Sequence, residues 1–437
     1  AILAQVIGIM ATKRPLETSS SAEIQAQKRQ NLPFEPGGTS DAAKVAPGDV
    51  AKAIWTLPHP TLLLCDYSSP ASTVVYGFDM DDTLIKTKSD KTFAIDSDDW
   101  TWWDPCVPAK LRELADKKVK LVIFTNQKGY GSKPTKDLTE RIDKMQKSVG
   151  VPLLVLAALG DDAFRKPCVD SWKHMAAEAN GGLVPSLADC LFVGDAAGRP
   201  ATKKPVVKKD FSDTDLKFAL NLGVQFQTPE EFFRGPAFAE ATGRPYPTTF
   251  DFDPRVLGSG AASHRGDTNK LVPSSHSELI LLVGPPGAGK SSLASSKFPA
   301  YVRANQDTLK TKDKCVKAVA EALKSGKSAI VDNQNKDKAT RKAYLDAAKA
   351  AGVASRAVFL DVPKELCFHL NRYRFLNPRS PEHRPESVPA LVIHSYFKSV
   401  DPPTKEEGFA DVLKTGLDDF CFRGSSEDLA LLRSFLC

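Results

Sequence analysis

Short apolar runs alternate with stretches whose apolar positions recur every three to four residues, and this happens in two separate series along the chain. The first series occupies residues 53–241. Strands are predicted over 72–78, 120–127, 151–158 and 191–195. Helices are predicted over 107–115, 137–145 and 212–221, the last opened by Ser212 as a cap and by acidic residues in its first turn. The second series starts with the buried strand 278–283 and a helix from about Ser292. It continues with a helix over 308–323, strands over 328–332 and 357–361, an alanine-rich helix at 343–350 and a helix over 364–374. Alternation of this kind reads as α/β, in two domains. Residues 242–276 hold Pro, Gly and Ser in quantity and read as a linker skirting the first domain. Residues 1–52 have little to bury and read as a disordered basic and polar tail, which leaves 53–241 and 277–437 as the two folded domains.

Composition narrows the class. At 437 residues the chain exceeds one ordinary domain, and its 42% hydrophobic content is ample for two cores. No apolar run approaches the roughly 18 residues that span a bilayer. The apolar opening lacks a basic flank, so a secretory signal is not expected, and Met10 is a plausible native start. Eight cysteines are scattered without a CxxC pair or a Cys/His cluster, which suits reduced thiols in the cytosol or nucleus and gives no zinc signature. The net charge of +6 leans mildly toward polyanionic partners. Two basic pairs in the tail, Lys13-Arg14 and Lys28-Arg29, have the form of a bipartite nuclear localisation signal or are ordinary solvated charge.

Two stretches carry chemistry. At the end of the first strand, Asp79 and Asp81 stand one residue apart, and like charges so close raise each other's proton affinity unless a cation neutralises them. A hard ion such as Mg²⁺ with a phosphate is the natural guest. After strand 278–283, residues 284–292 read GPPGAGKSS, the full pattern G-x-x-x-x-G-K-[ST] between a strand and a helix. Gly284, Gly287 and Gly289 let backbone N–H groups converge on phosphate, Lys290 reaches the terminal phosphates, and Ser291 is placed to ligate Mg²⁺. Ser292 opens the helix whose dipole faces the same anion. Asp332 ends the next strand in the position of a Walker-B acid. Asp307 is either an acceptor base or the N-cap of the 308–323 helix, and Arg372 and Arg374 either clamp ATP phosphates or face solvent.

The pattern Asp79-x-Asp81-x-Thr83 after an apolar strand resembles the nucleophile motif of the haloacid dehalogenase superfamily. That superfamily's three further elements follow in order at Thr125-Asn126-Gln127, Lys166 and Asp195. The resemblance implies a Rossmann-like phosphatase in which Asp79 attacks phosphorus and Asp81 is general acid and base. Mg²⁺ would lie on Asp79, Asp195 and a main-chain carbonyl at Asp81, while Thr125 and Lys166 hold the phosphate oxygens.

A phosphatase of this type followed by a P-loop kinase resembles the bifunctional polynucleotide kinase 3′-phosphatase family of DNA strand-break repair. The motifs FRKP at 164–167, FVGDAAGRP at 192–200, KDFS at 209–212, TPEEFF at 228–233, VDNQN at 331–335 and NRYR at 371–374 carry the likeness. It implies removal of 3′-phosphates at Asp79 and ATP-dependent phosphorylation of 5′-hydroxyls with Asp307 as base, on DNA ends, in the nucleus; other strand-break repair proteins are the expected partners, and a monomer is the default oligomeric state. RNA ends, a small phosphorylated metabolite or a scaffold with dead sites are the alternatives. The tail is too short for the forkhead-associated domain of the vertebrate members. Asp82 stands where the family usually has Gly, and Asn305-Gln306-Asp307 replaces a more usual Asn-Arg-Asp. Arg199, Lys203, Lys204, Lys208 and Lys209 form a basic run that either tracks a phosphate backbone or is a solvated face. Trp100, Trp102 and Trp103 either stack on bases or pack in the core.

Overall fold

The computed structural model describes residues 54–130, 136–203, 206–241, 244–257, 270–379, 383–384, 386–415 and 424–437. The tail with its basic pairs, Lys204 and the middle of the 242–276 segment lie outside the described residues.

The first series opens with a hairpin that the alternation did not announce, β1 (Trp55–His59) and β2 (Leu62–Tyr67). In chain order there follow β3 (Val75–Phe78), β4 (Ile85–Lys86), β5 (Thr101–Trp102), α1 (Val107–Asp116), β6 (Lys120–Asn126), α2 (Lys136–Val149), β7 (Leu153–Ala158) and α3 (Asp170–Glu178). Next come β8 (Leu191–Val193), β9 (Thr202–Lys203), β10 (Val206–Val207), α4 (Thr214–Leu222), β11 (Gln225–Gln227), a single turn at Glu230–Arg234 and α5 (Pro236–Ala241). Seven strands form one sheet in the order β1-β2-β7-β6-β3-β8-β11. It is parallel from β7 to β11, with β2 antiparallel on β7 and β1 antiparallel on β2.

Period-two alternation fills both faces of this sheet. In β6, Leu121 and Ile123 join one buried cluster while Val122 and Phe124 join the other; β7 divides the same way, Val155 from Leu156. Phe124 stacks on Trp172 at 5.6 Å and meets Phe218 and Phe192. These rings leave no room beside β3, because a Cβ on Gly77 would lie 2.8 Å from the Phe192 ring. Trp100, Trp102 and Trp103 are half-buried and pack against the first cluster, with Trp103 tilted on Phe233 at 6.0 Å.

The second series comprises β12 (Glu278–Val283), α6 (Lys290–Lys297), β13 (Val302–Ala304), α7 (Gln306–Leu309), α8 (Lys312–Lys324), β14 (Ala329–Asp332), α9 (Lys338–Ala350), β15 (Ala354–Leu360), α10 (Lys364–Leu376), α11 (Ala390–Ser399), β16 (Asp411–Thr415) and α12 (Ser426–Leu432). Its sheet, β13-β14-β12-β15-β16, is parallel throughout. From β3 in the first sheet and from β12 in the second, the chain lays strands first to one side and then to the other. The order therefore reverses at β3 and at β12, and open α/β sheets form their ligand crevice at such points.

Three expectations are corrected. The predicted 308–323 helix is two helices, α7 and α8, because Lys310 takes a left-handed φ of +74° and Thr311 caps a new start by accepting from the Lys314 N–H. The helix expected from Ser212 begins at Thr214, and no side chain caps it. The segment read as a linker along the first domain plants Leu257 and Leu271 in the core cluster of the second series.

Candidate active sites

β3 ends at Phe78 and β8 at Val193, and the backbone N–H of Asp79 donates to the Val193 carbonyl at 2.9 Å. The two strand ends are thus locked together, which brings Asp79 beside Asp195. Thr83, fully buried, accepts from the Asp195 backbone N–H at 3.1 Å and so ties the two acidic turns. A third carboxylate arrives from α4. Asp215 accepts from the Ala196 N–H at 3.1 Å beneath Gly194, where a Cβ would lie 2.3 Å from the Asp215 side chain. Carboxylate oxygens of Asp79, Asp195 and Asp215 all lie within 4.8 Å of one another.

One ammonium faces these three carboxylates. Lys166 Nζ lies 2.8 Å from Asp79 and 2.7 Å from Asp215, and the side chain is 2% exposed. Burial works against its charge, but Asp215 and Asp79 more than offset this and raise its pKa. Burial, then Asp215 and Asp79, drives the Asp195 carboxyl well above its ordinary range; burial also raises Asp215, with Lys166 pulling the other way. An all-oxygen set, one carboxylate buried and two half-buried, with more negative than positive charge fits a hard divalent cation such as Mg²⁺.

Asp81 stands outside that cluster. Its half-exposed carboxylate accepts from Gln127 Nε2 at 2.8 Å and lies 3.8 Å from the buried Arg141 guanidinium. Crowding by protein atoms, opposed by Arg141 and aided by Asp79, raises its pKa, which suits a proton donor. Gln127 also donates to Thr125 Oγ1 at 2.9 Å. Asn126 exchanges two hydrogen bonds with the Lys166 backbone, at 3.0 and 3.2 Å, so the end of β6 fixes both the proton carrier and the lysine loop. Asp82 has a left-handed φ of +55° and an exposed side chain. That backbone is the one glycine adopts freely, and the extra carboxylate, though exposed, adds to the negative charge that raises Asp81 and Asp195.

In the second series Gly287 and Gly289 have φ of +84° and +83°, and the turn they form runs into the first turn of α6. The Cys367 carbonyl would lie 2.7 Å from a Cβ on Gly287. Lys290 Nζ donates to the carbonyls of Gly284 at 2.9 Å and Pro285 at 2.7 Å, and burial lowers its pKa to about 8 while Asp332 pulls it up. Ser291 Oγ donates to Asp332 at 2.9 Å, and Arg303 and Asn305 hold the same acid. Gly287, Gly289, Lys290, Ser291, Asp307 and Arg374 all line one cavity of about 400 Å³. Asp307 is exposed and 3.0 Å from Arg384; the cap of α7 is Asn305, not Asp307.

Other sequence-named residues land elsewhere. Arg372 is not at the P-loop cavity: it pairs with Asp161 of the first series at 2.9 Å. The reason is helical, since residues two apart on α10 point to different faces. Arg199 is no free phosphate contact, being 5% exposed and paired at 2.8 Å with both Asp210 and Glu230. Lys203, Lys208 and Lys209 remain exposed. Sequence reasoning gave no role to Asp215, Arg141 or Arg303. It named Gln127, as a polar residue closing an apolar strand, but not as the hydrogen-bond partner of Asp81.

Three carboxylates around a lysine at one sheet edge, and a P-loop with its acid at another, define an α/β protein with two phosphoryl-transfer sites. Known proteins agree. Residues 74–233 match the family described as polynucleotide kinase 3 phosphatase, and residues 279–399 match an AAA domain. The chain is 37% identical to the bifunctional polynucleotide phosphatase/kinase of Schizosaccharomyces pombe, over 91% of this chain and 93% of that one. It is 32% identical to a putative bifunctional polynucleotide phosphatase/kinase of Acanthamoeba polyphaga mimivirus, over 77% of this chain and 82% of that one. The polynucleotide 3′-phosphatase of Saccharomyces cerevisiae is 30% identical over 37% of this chain and 87% of its own length. The chain belongs to the bifunctional polynucleotide phosphatase/kinase family.

Proposed function

We propose that this protein heals DNA strand breaks, removing 3′-phosphates at the first site and phosphorylating 5′-hydroxyls with ATP at the second. The observation that carries the reading is the occurrence on one chain of two complete phosphoryl-transfer sets, each at the crevice of its own sheet. Asp79 attacks the terminal phosphorus and forms a phospho-aspartate as the P–O bond to the sugar breaks. Asp81 gives its proton to the departing 3′-oxygen, then takes one from the water that hydrolyses the phospho-aspartate. Lys166 and Thr125 hold the non-bridging oxygens. Asp79 and Asp195, with Asp215 beside them, would hold Mg²⁺, which masks the phosphate's negative charge.

At the second site, Lys290 exchanges its P-loop carbonyls for the ATP phosphates. Ser291 and Asp332 are the groups that would hold the accompanying Mg²⁺. Asp307 takes the proton of the attacking 5′-hydroxyl, and Arg374 borders the same cavity. Nuclear location and contact with other repair proteins follow from the same reading; a monomer is the default oligomeric state.

The test is a nicked duplex bearing a 3′-phosphate and a 5′-hydroxyl, supplied with Mg²⁺ and labelled ATP. Asp79→Asn should abolish only 3′ removal and Lys290→Ala only 5′ labelling. A wild type that leaves the nick untouched but processes an RNA break would overturn the DNA assignment.

A further inference from the structure

The helix beneath the P-loop also reaches the phosphatase. α10 supports the nucleotide loop through the Cys367 carbonyl under Gly287, and five residues later its Arg372 side chain lies over the Phe375 ring of the same helix at 5.3 Å and reaches on to the phosphatase half. The guanidinium lies 2.9 Å from the Asp161 carboxylate. It also donates to the Asp161 carbonyl at 3.0 Å and approaches the Asp162 carbonyl at 3.5 Å. Only 15% of the Arg372 side chain is exposed.

The gripped turn leads directly to the phosphatase lysine. The Arg165 N–H donates to the Asp162 carbonyl at 3.2 Å, and Lys166 follows. Asn126 holds the Lys166 backbone from the end of β6, and Arg372 of α10 holds the turn before it. Beyond Lys166, Cys168 is buried in the same apolar cluster as Leu366 and Leu370 of α10. Lys128, in the turn after β6, shares Asp161 at 2.7 Å. Burial works against the charge of Asp161, yet Lys128, Arg372 and Arg165 keep its carboxyl below the ordinary range, so the grip is ionic. Arg372 lies outside residues 74–233, so the phosphatase half read by itself does not contain this contact.

We propose that Arg372 is a positioning residue of the phosphatase site, lent by the P-loop half: by fixing the Asp161–Asp162 turn it sets Lys166 Nζ against Asp79 and Asp215. The proposal rests on the phosphatase reading above. Small errors in a charged group's position are costly in rate, about 10²-fold for 1 Å. A side chain acting through a clamped turn controls a fraction of that.

The experiment uses the full chain with Arg372→Ala and Arg372→Lys, a 3′-phosphorylated oligonucleotide, a 5′-hydroxyl oligonucleotide with ATP, and amide exchange over residues 159–168. Arg372→Ala should lower phosphatase kcat about tenfold, leave its KM within about twofold, and leave the kinase KM for ATP unchanged. Amides of 159–168 should exchange faster. Arg372→Lys should recover only part of the rate, because an ammonium does not reproduce the planar fork that meets a carboxylate and two carbonyls. Unchanged phosphatase kcat and exchange, or a raised KM for ATP with intact phosphatase, would overturn the proposal. So would a parallel fall of both activities with the folded fraction. If the wild type were inert on 3′-phosphates, the phosphatase reading would fail, while exchange at 159–168 would still decide whether Arg372 orders the lysine turn.

Discussion

Asp215→Asn separates a metal-binding carboxylate from a mere partner of Lys166. The substitution removes one charge and keeps an oxygen for the Ala196 N–H that Asp215 now accepts at 3.1 Å. What it loses is the attraction to Lys166 at 2.7 Å, about 6 kcal/mol at an effective dielectric near 20. What it relieves is repulsion from Asp79 and Asp195, each within 4.8 Å and each worth about 3.5 kcal/mol at least by the same measure. Without metal the two effects nearly cancel, leaving the variant about as stable as wild type or up to about 1 kcal/mol more stable. With Mg²⁺ the balance changes. At a concentration of about 100 times Kd, the wild type gains about 2.7 kcal/mol from binding, and a variant that binds tenfold more weakly gains about 1.4 kcal/mol. Thermal unfolding in EDTA and in Mg²⁺, without nucleotide, reads both numbers, and 3′-phosphatase assays should show a loss of at least tenfold with the kinase intact. A variant about 3–5 kcal/mol less stable in EDTA, with the wild-type Mg²⁺ increment, would refute the reasoning and leave Asp215 as a structural counter-ion.

Gly287→Ala should abolish ATP binding and 5′ labelling, since a Cβ would meet the Cys367 carbonyl at 2.7 Å on a backbone with φ of +84°; equilibrium binding of an ATP analogue checks it, with 3′-phosphatase preserved. Asp82→Gly should stabilise the chain by about 0.5–1 kcal/mol in urea unfolding by relieving a left-handed φ of +55°, with phosphatase rate within about twofold because the exposed carboxylate is screened by solvent. His369 donates from Nε2 to the Leu432 carbonyl at 2.6 Å, and burial lowers its pKa from 6.5 to about 4. Between those values the unfolded chain binds the proton and the folded chain does not. Its contribution is therefore complete above pH 6.5 and lost as pH falls toward 4, by about 3 kcal/mol. His369→Gln should flatten this acid limb in urea titrations run between those two pH values.

The central strands of both sheets were legible because they are buried on both faces and read as unbroken apolar runs, most of them closed by a polar residue at the strand end. β3, β6, β8, β12 and β14 were found in this way, and with them Asp79, Thr125, Asp195 and Asp332. The hairpin of β1 and β2 was not read: β1 is mostly exposed and its pattern is that of a loop, although the apolar run at 62–65 in the largely buried β2 was an available signal. The break at Lys310 was hidden because a lysine gives no warning of a left-handed backbone; Thr311 beside it, an ordinary capping residue, was the available signal.

The unread part of the sites has one physical origin. A motif names groups by their neighbours in sequence, while charge is neutralised by neighbours in space. Asp215 stands in a helical first turn, where acids are common for local reasons, and only the docking of α4 under Gly194 turns it toward Lys166. Arg199 sits in a run of positive residues, yet Asp210 and Glu230, 11 and 31 residues away, bury its charge, and Arg244 doubles the hold on Asp210 at 2.7 Å. Arg372 follows the same rule from the farther end of the chain, meeting Asp161 across 211 residues. In each case the charge was legible and its partner was not, because an ion pair buried by tertiary contact leaves no periodic trace in the sequence that makes it.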